Sequence, residues 1–138
     1  MDIEYELLGP DRESAFAAVA DGVFDHAVNP DSASAFLADP HHHIAVARAG
    51  GQIVAFVSAL TYLHPDKPLQ CWINELSTAG PFRRRGIAAE LMRRMIEHAR
   101  SIGCAQIWVA TEGGNYPARS LYRSLGGHES EHVAMYEF

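Results

Sequence analysis

The sequence lacks the features that mark several large classes of protein. No apolar run approaches the ~18–20 residues of a membrane-spanning helix. The opening stretch, MDIEYELLGP, has neither the basic start nor the apolar core of a secretory leader. Cysteine occurs twice, at Cys71 and Cys104, without close spacing. One disulfide would use both; the preferred reading is two unpaired thiols in a reducing compartment, acting as small buried hydrophobes. Cationic side chains are also in deficit. Eleven Lys and Arg stand against seventeen Asp and Glu, a formal net charge of −6. That balance argues against a broad basic face for nucleic acid and weakly favours cationic partners. A cytoplasmic protein with no nucleic-acid or membrane partner is expected.

What is present fits one globular domain over 1–138, with 48% hydrophobic and 20% charged residues and no repeat, linker or low-complexity segment. DIEYELL alternates apolar residues with acids, as a half-wet strand does. Asp11 can cap a helix through RESAFAAVADGVF, with Phe16, Val19, Ala20 and Val23 on one side. NPDSASAFLADP reads as a turn and a short helix capped near Asp31 or Ser32. HHIAVARAGGQIVAFVSALTYL reads as a hairpin turning at Ala49–Gln52. LQCWINELST is a further strand. From Gly86 the period becomes helical, with Ile87, Ala88, Leu91, Met92, Met95, Ile96 and Ala99 on one stripe and Gly103 as the stop. AQIWVAT is then a buried strand, YPARSLYRSLGG a short helix, and HESEHVAMYEF a last strand. The order β-α-α-β-β-β-α-β-α-β implies an α/β domain with a mixed, largely antiparallel sheet.

One stretch stands out chemically. In GPFRRRGIAAEL, three arginines lead into a glycine that opens a helix. Amides in a first helical turn have no internal acceptor, and the helix dipole adds about half a positive charge there, so the arrangement suits a phosphate. Gly86 and Ala88 keep bulk away from the backbone. The alternative is a solvated basic turn. A Walker loop and a G-x-G-x-x-G fingerprint are both absent.

LSTAGPFRRRGIAAEL resembles the acyl-CoA-binding motif of the GNAT N-acetyltransferases: Arg or Gln, two residues, Gly, one residue, then Gly or Ala. Arg83, Gly86 and Ala88 meet it. NYPARSLYRSLGG resembles the family's second signature through Asn115, Ala118, Leu121, Tyr122, Leu125 and Gly126. The two occur in the family's order, and the likeness covers essentially the whole chain. Within the superfamily the sequence is most similar to the aminoglycoside 3-N-acetyltransferases. The resemblance implies the GNAT acyl-CoA N-acyltransferase fold, a mixed, largely antiparallel sheet flanked by helices. It implies acetyl-CoA as cosubstrate and a cationic small-molecule amine, with aminoglycosides the specific choice, as acceptor.

It also implies site residues. Backbone groups along Leu76, Ser77 and Thr78 would pair with the pantetheine arm, one N–H facing the thioester oxygen. Amides from Arg84 and Arg85 through Gly86, Ile87, Ala88 and Ala89 would carry the pyrophosphate, while Arg83 joins them or braces the loop. Asn115, with Ala118 beside it, would hydrogen-bond the pantetheine, or serve only as a turn residue. Tyr122 would return a proton to the departing thiolate, a task suited to a phenol near pKa ten. Glu75 ends the apolar strand CWINEL, where partial burial would raise a carboxylate towards a useful general base, directly or through water. The related aminoglycoside enzymes carry Asp at that position. Glu112 is expected at the mouth of the acceptor cleft, where a carboxylate suits a polyamine or aminoglycoside; Asp25, Asp31 and Asp66 in the flanking loops would suit one too, but read better as surface charges. His41, His42 and His43 lie on a strand and point alternately to its two faces, so no metal site is expected. Rival readings keep the chemistry with a protein N-terminus, a lysine or a metabolite amine as acceptor, or make the chain an acyl-CoA sensor without turnover. The final strand offers an edge for a homodimer.

Overall fold

The structure, a computed structural model, describes residues 2–138. One sheet holds five strands in chain order: β1 (Ile3–Leu8), β2 (His42–Ala49), β3 (Gln52–His64), β4 (Lys67–Thr78) and β5 (Gln106–Val109). The first four are antiparallel, and β5 runs parallel to β4. A parallel step needs a crossover, which helix α2 (Ile87–Ser101) supplies. Two shorter helices, α1 (Pro30–Ala38) and α3 (Tyr116–Ser124), complete the fold with 3-10 turns at Glu13–Ala17 and Gly80–Phe82. This is the mixed, largely antiparallel α/β sheet that the sequence predicts.

The strand period places the core on both faces. Ala45, Ala47 and Ala49 of β2 and Ala55, Val57 and Ala59 of β3 pack with Leu91, Met92, Met95 and Ala99 of α2. Alanine is frequent on this face, so α2 lies close to the sheet. Ile44, Val46, Ile53 and Phe56 point to the other face, where Ala15, Val23 and Leu37 cover them. Leu91 and Met95 are fully buried, and each such side chain contributes about 1.5–3 kcal/mol.

Four local expectations need correction. No α-helix spans 12–24. Asp11 has φ 67°, and the helical turn stops at Ala17. The chain then extends along the start of β3, with Ile53 N–H donating to Ala18 O at 2.9 Å and Ala20 N–H to Ile53 O at 2.8 Å. Pairing with the sheet overrides the local helical pattern. The cap of α1 is Asn29, whose side chain accepts from Ser32 N–H at 3.0 Å ahead of Pro30, in place of Asp31 or Ser32. β5 is a short edge strand, half-buried rather than buried. Residues 128–138 form no strand. Glu129 instead bridges Arg119 and Arg123 of α3, which ties the start of this segment to the helix and away from the sheet. The edge on which the homodimer expectation rested is therefore absent, and β1 and β5 are the open edges.

Candidate active site

The site begins with a register shift. Ser58 pairs with Glu75, whereas Ala59 pairs with Ile73, so Asn74 is the extra residue of a bulge in β4. A bulge bends and twists its strand. The β4–β5 ladder ends one residue earlier, at Ile73 opposite Val109. β5 ends with that pair while β4 runs on, and a cleft of about 370 Å³ lies between β4 and the chain that follows β5. Its floor is Asn74–Ser77 of β4. Val23, Phe24, Asp25 and Phe56 form one wall, and Val109, Ala110 and Thr111 with Asn115, Ala118 and Tyr122 form the other.

Register also sorts the cleft into two sides. Glu75 and Ser77 stand opposite Ser58 and Phe56, so their side chains share the face that Phe24 and Val23 cover. Leu76 and Tyr122 pack on the opposite face, against the α2 cluster. Glu75 and Tyr122 therefore enter one cleft from opposite faces of the sheet. Glu75 is exposed, contrary to the partial burial predicted for it. Tyr122 is half-buried, and burial raises its phenol above the ordinary value of ten.

The free edge of β4 carries usable backbone. Ala79 N–H donates to Val54 O of β3 at 2.8 Å. With a period of two, Ser77 and Glu75 also face β3, and Leu76 and Thr78 face the open side. Ser77, expected from sequence to join Leu76 and Thr78 along the pantetheine arm, thus turns its backbone to β3. Arg83 Nε donates to Thr78 O at 3.1 Å, so this arginine braces the loop. Arg85 lies over the Phe82 ring at 5.0 Å, while Arg84 takes φ 61°. Gly86 takes φ 78° and caps α2 without a side chain. Glu90 N–H is the first to bond back, to Gly86 O at 3.1 Å, which leaves the amides of Ile87, Ala88 and Ala89 without helical acceptors.

On α3, Asn115 Oδ1 accepts from Ala118 N–H at 3.2 Å, so Asn115 caps the helix as well as lining the cleft. Glu112 is exposed and does not line the cleft; its carbonyl accepts from Asn115 N–H. Asp25, read from sequence as a surface charge, lines the cleft instead. Asp66 is held by Lys67 and His64, and Asp31 sits in the first turn of α1. Asn74, Phe24 and Phe56 were not anticipated as site residues. Only the β4 bulge and the path of residues 18–25 bring them together, and neither has a local sequence signature.

Cys71 and Cys104 are free and buried, and burial pushes the Cys71 thiol up to about 11. Among the described residues no three His, Cys, Asp or Glu side chains converge as a metal site, and no helix is long and apolar enough to cross a membrane.

A model of the acetyltransferase (GNAT) family matches residues 5–126. N-acetyltransferase family 8 member 2 of Rattus norvegicus is 35% identical over 95 residues, covering 67% of this chain and 41% of the rat protein. N-alpha-acetyltransferase RimI of Mycobacterium tuberculosis is 32% identical over 90 residues, covering 65% and 54%. The chain thus spans about two fifths and about half the length of these two relatives. Aminoglycoside N(6′)-acetyltransferase type 1 of Serratia marcescens is 34% identical over 106 residues, 72% of each chain. Among solved structures, an aminoglycoside acetyltransferase from an uncultured soil metagenomic sample superposes with TM-score 0.82 at 22% identity, covering 100% of this chain and 98% of its own. AAC(6′)-Iy, bound to a bisubstrate analogue of CoA and acetylneamine, does so with TM-score 0.80 at 17% identity, covering 100% and 99%. At these identities the structural matches establish the fold.

Proposed function

The chain belongs to the GNAT acetyltransferase family, whose members take an acetyl group from acetyl-CoA, and from that premise we propose that it acetylates a primary amine of a cationic small molecule. One observation carries the reading. A cleft opened by the β4 bulge receives a carboxylate from one face of the sheet and a phenol from the other, beside an unpaired backbone edge.

The residues fit the cosubstrate. Its diphosphate is an anion, and the uncapped first turn of α2 offers amides from Ile87 to Ala89 beside Arg84 and Arg85. The backbone N–H and C=O of Leu76 and the N–H of Thr78, whose carbonyl already accepts from Arg83, face an amide-bearing arm, and Asn115 Nδ2 remains free for it while Oδ1 caps α3. Acetyl-CoA, when bound, supplies the thioester carbonyl. Glu75, directly or through a water, takes the proton that an ammonium must lose before it can attack. N–H groups on the open edge of β4 stabilise charge on the carbonyl oxygen. As the new C–N bond forms and the C–S bond breaks, the Tyr122 phenol protonates the leaving sulfur. Its raised pKa keeps that proton in place at neutral pH.

Aminoglycosides are the acceptor class suggested by the Serratia relative and by the sequence resemblance, though the relative's name specifies the 6′-nitrogen rather than the 3-nitrogen. RimI's name suggests a peptide α-amine instead. The deciding experiment is thiol release from acetyl-CoA across aminoglycosides, polyamines and short peptides. Saturable release with a cationic small molecule supports the proposal; release with peptides alone overturns it. A homodimer is a further part of the proposal, supported by the open β5 edge and by exposed Val133, Met135, Tyr136 and Phe138. Light scattering giving the monomer mass at micromolar concentration would exclude it.

A further inference from the structure

We infer that Trp72, Trp108 and Tyr62 form a platform for a ring carried by the acceptor, so that the site favours a ring-bearing amine, aryl or pyranose, over an open-chain one. This rests on the acetyltransferase reading above and deepens it by naming the shape that the acceptor carries next to its amine.

Register places these side chains. Trp72 of β4 stands opposite Leu60 of β3 on one side and Trp108 of β5 on the other, and directly opposed residues share a sheet face. Tyr62 lies two residues beyond Leu60 on that face. The Tyr62 and Trp108 rings stack across the intervening strand, with centres 6.3 Å apart and planes at 20°. Gln70, opposite Tyr62 on that strand, is buried. Leu60, Tyr62, Trp72 and Trp108 are half-buried, yet neither core cluster takes them in, and α1, the helix on this face, packs on β2. Both tryptophans of the chain are among them. A contiguous apolar strip left open in this way marks a contact surface.

The strip lies beside the cleft and adjoins the reacting centre. Glu75 pairs with Ser58 and Trp72 with Leu60, so Trp72 is the next side chain after Glu75 on that face, about 7 Å along the sheet. The bulge at Asn74 is what unites them: without it, residues 72 and 75 would point to opposite faces. An amine held beside Glu75 can therefore lay the rest of its molecule over Trp72. Chemistry then selects what lies there. Apart from Glu75, the positions on this face from Ser58 to Tyr62 of β3, with Gln70, Trp72 and Trp108, carry no charge, so the strip offers π faces rather than ion pairs. A ring sets its flat or C–H face against the indole with few bonds to freeze, whereas an open chain of equal size must fix several to cover the same surface.

The test compares kcat/KM, by thiol release at saturating acetyl-CoA, within two matched pairs. 2-Phenylethylamine against n-hexylamine tests an aryl ring, and glucosamine against open-chain 1-amino-1-deoxyglucitol tests a pyranose. The ring amine of at least one pair should exceed its partner by about 5-fold or more. That ratio should fall to within about twofold in Trp72→Leu and persist in Trp72→Phe, with a melting curve for each variant to check the fold. A second readout needs neither turnover nor a variant. Because both tryptophans lie on the strip, titrating the CoA-bound wild type with the ring amine should shift its indole emission saturably, and the open-chain partner should not. Equal rates within both pairs, a ratio that survives Trp72→Leu, or an emission that follows protein concentration but no ring amine, as a second copy on the strip would produce, would each overturn the inference while leaving the acetyltransferase reading intact. Ring amines that shift the emission yet release no thiol would leave the platform standing and overturn its role in acetyl transfer. Ring amines that do neither would overturn the inference, and the broader amine panel above would still decide the acetyltransferase reading.

Discussion

Ile73 stands opposite Val109 in the last pair of the parallel β4–β5 ladder, and the residue that follows it is the extra one in the ladder on the other side. One strand thus loses a partner at the point where it is kinked. Both effects expose the backbone of Leu76 and Thr78, and the bulge also decides which face Glu75 occupies. Side chains alternate along a strand, so a one-residue slip would send Glu75 to the α2 side.

That placement separates the two chemical roles. Glu75→Gln should lower kcat/KM by about 10²–10⁴-fold, the usual range for a general base, while the dissociation constant for acetyl-CoA changes by less than about twofold. Steady-state thiol release and calorimetric titration with CoA measure the two separately. Parallel loss of both would make Glu75 a structural residue.

Tyr122→Phe removes a proton but little volume. We expect kcat to drop about 10–10²-fold and CoA binding to persist. Because burial raises the phenol above ten, the wild type should hold its rate into mildly alkaline solution and lose it only as the phenol ionises. A pH profile that is the same in the variant and the wild type would rule out this role.

Much of this was legible in the sequence. The stripe from Ile87 to Ala99 announced α2, because a 3.6 period is local and survives any context. The glycines at 50 and 51, both at positive φ, announced the hairpin turn. Gly86 and the arginines announced the uncapped helix start. Residues 12–24 misled because a helical pattern there competes with two backbone hydrogen bonds to Ile53, a partner more than thirty residues away. Asp25 was read as a surface charge in preference to an acceptor carboxylate for the same reason: its neighbour Phe24 meets Phe56 only once that segment has crossed the sheet. Glu112 was placed from its position after β5, but the chain turns at Asn115 and leaves the carboxylate outside the cleft.

Gly86 allows a test of the phosphate cradle without removing charge. Its φ of 78° disfavours any side chain, and a Cβ there would meet nothing within 4 Å, so the cost of Gly86→Ala is conformational. It should be about 1–2 kcal/mol, seen as a melting temperature lower by a few degrees. If the amides of Ile87–Ala89 hold the diphosphate, CoA should lose far more affinity than dephospho-pantetheine analogues that lack it. Equal losses for both would remove the cradle from the site.

The last prediction concerns acid. His43 Nδ1 and His98 Nε2 lie 3.1 Å apart, and His43 Nε2 meets Thr61 Oγ1 at 3.0 Å, so a chain of hydrogen bonds ties α2 to β2 and β3. One ring must donate and the other accept, which requires at least one neutral imidazole. Burial first, then the neighbouring His98, His41 and His42, hold His43 down to about 4, with Asp39 opposing them; burial also lowers His98. An unfolded His43 would titrate near 6.5. Between those values the unfolded chain binds a proton that the folded chain refuses, so stability rises with pH across that window and is lost as pH falls from about 6.5 towards 4. Since the ring is only half-buried, the loss should be about 1–2 kcal/mol. Urea unfolding at pH 7.0, 5.5 and 4.5 measures it, and His43→Gln should flatten the slope across that window. An unchanged slope in the variant would remove His43 as the source of the acid sensitivity, and Glu6 could not replace it, because Arg12 and Arg48 hold it at about 2 and its contribution is lost only below that window.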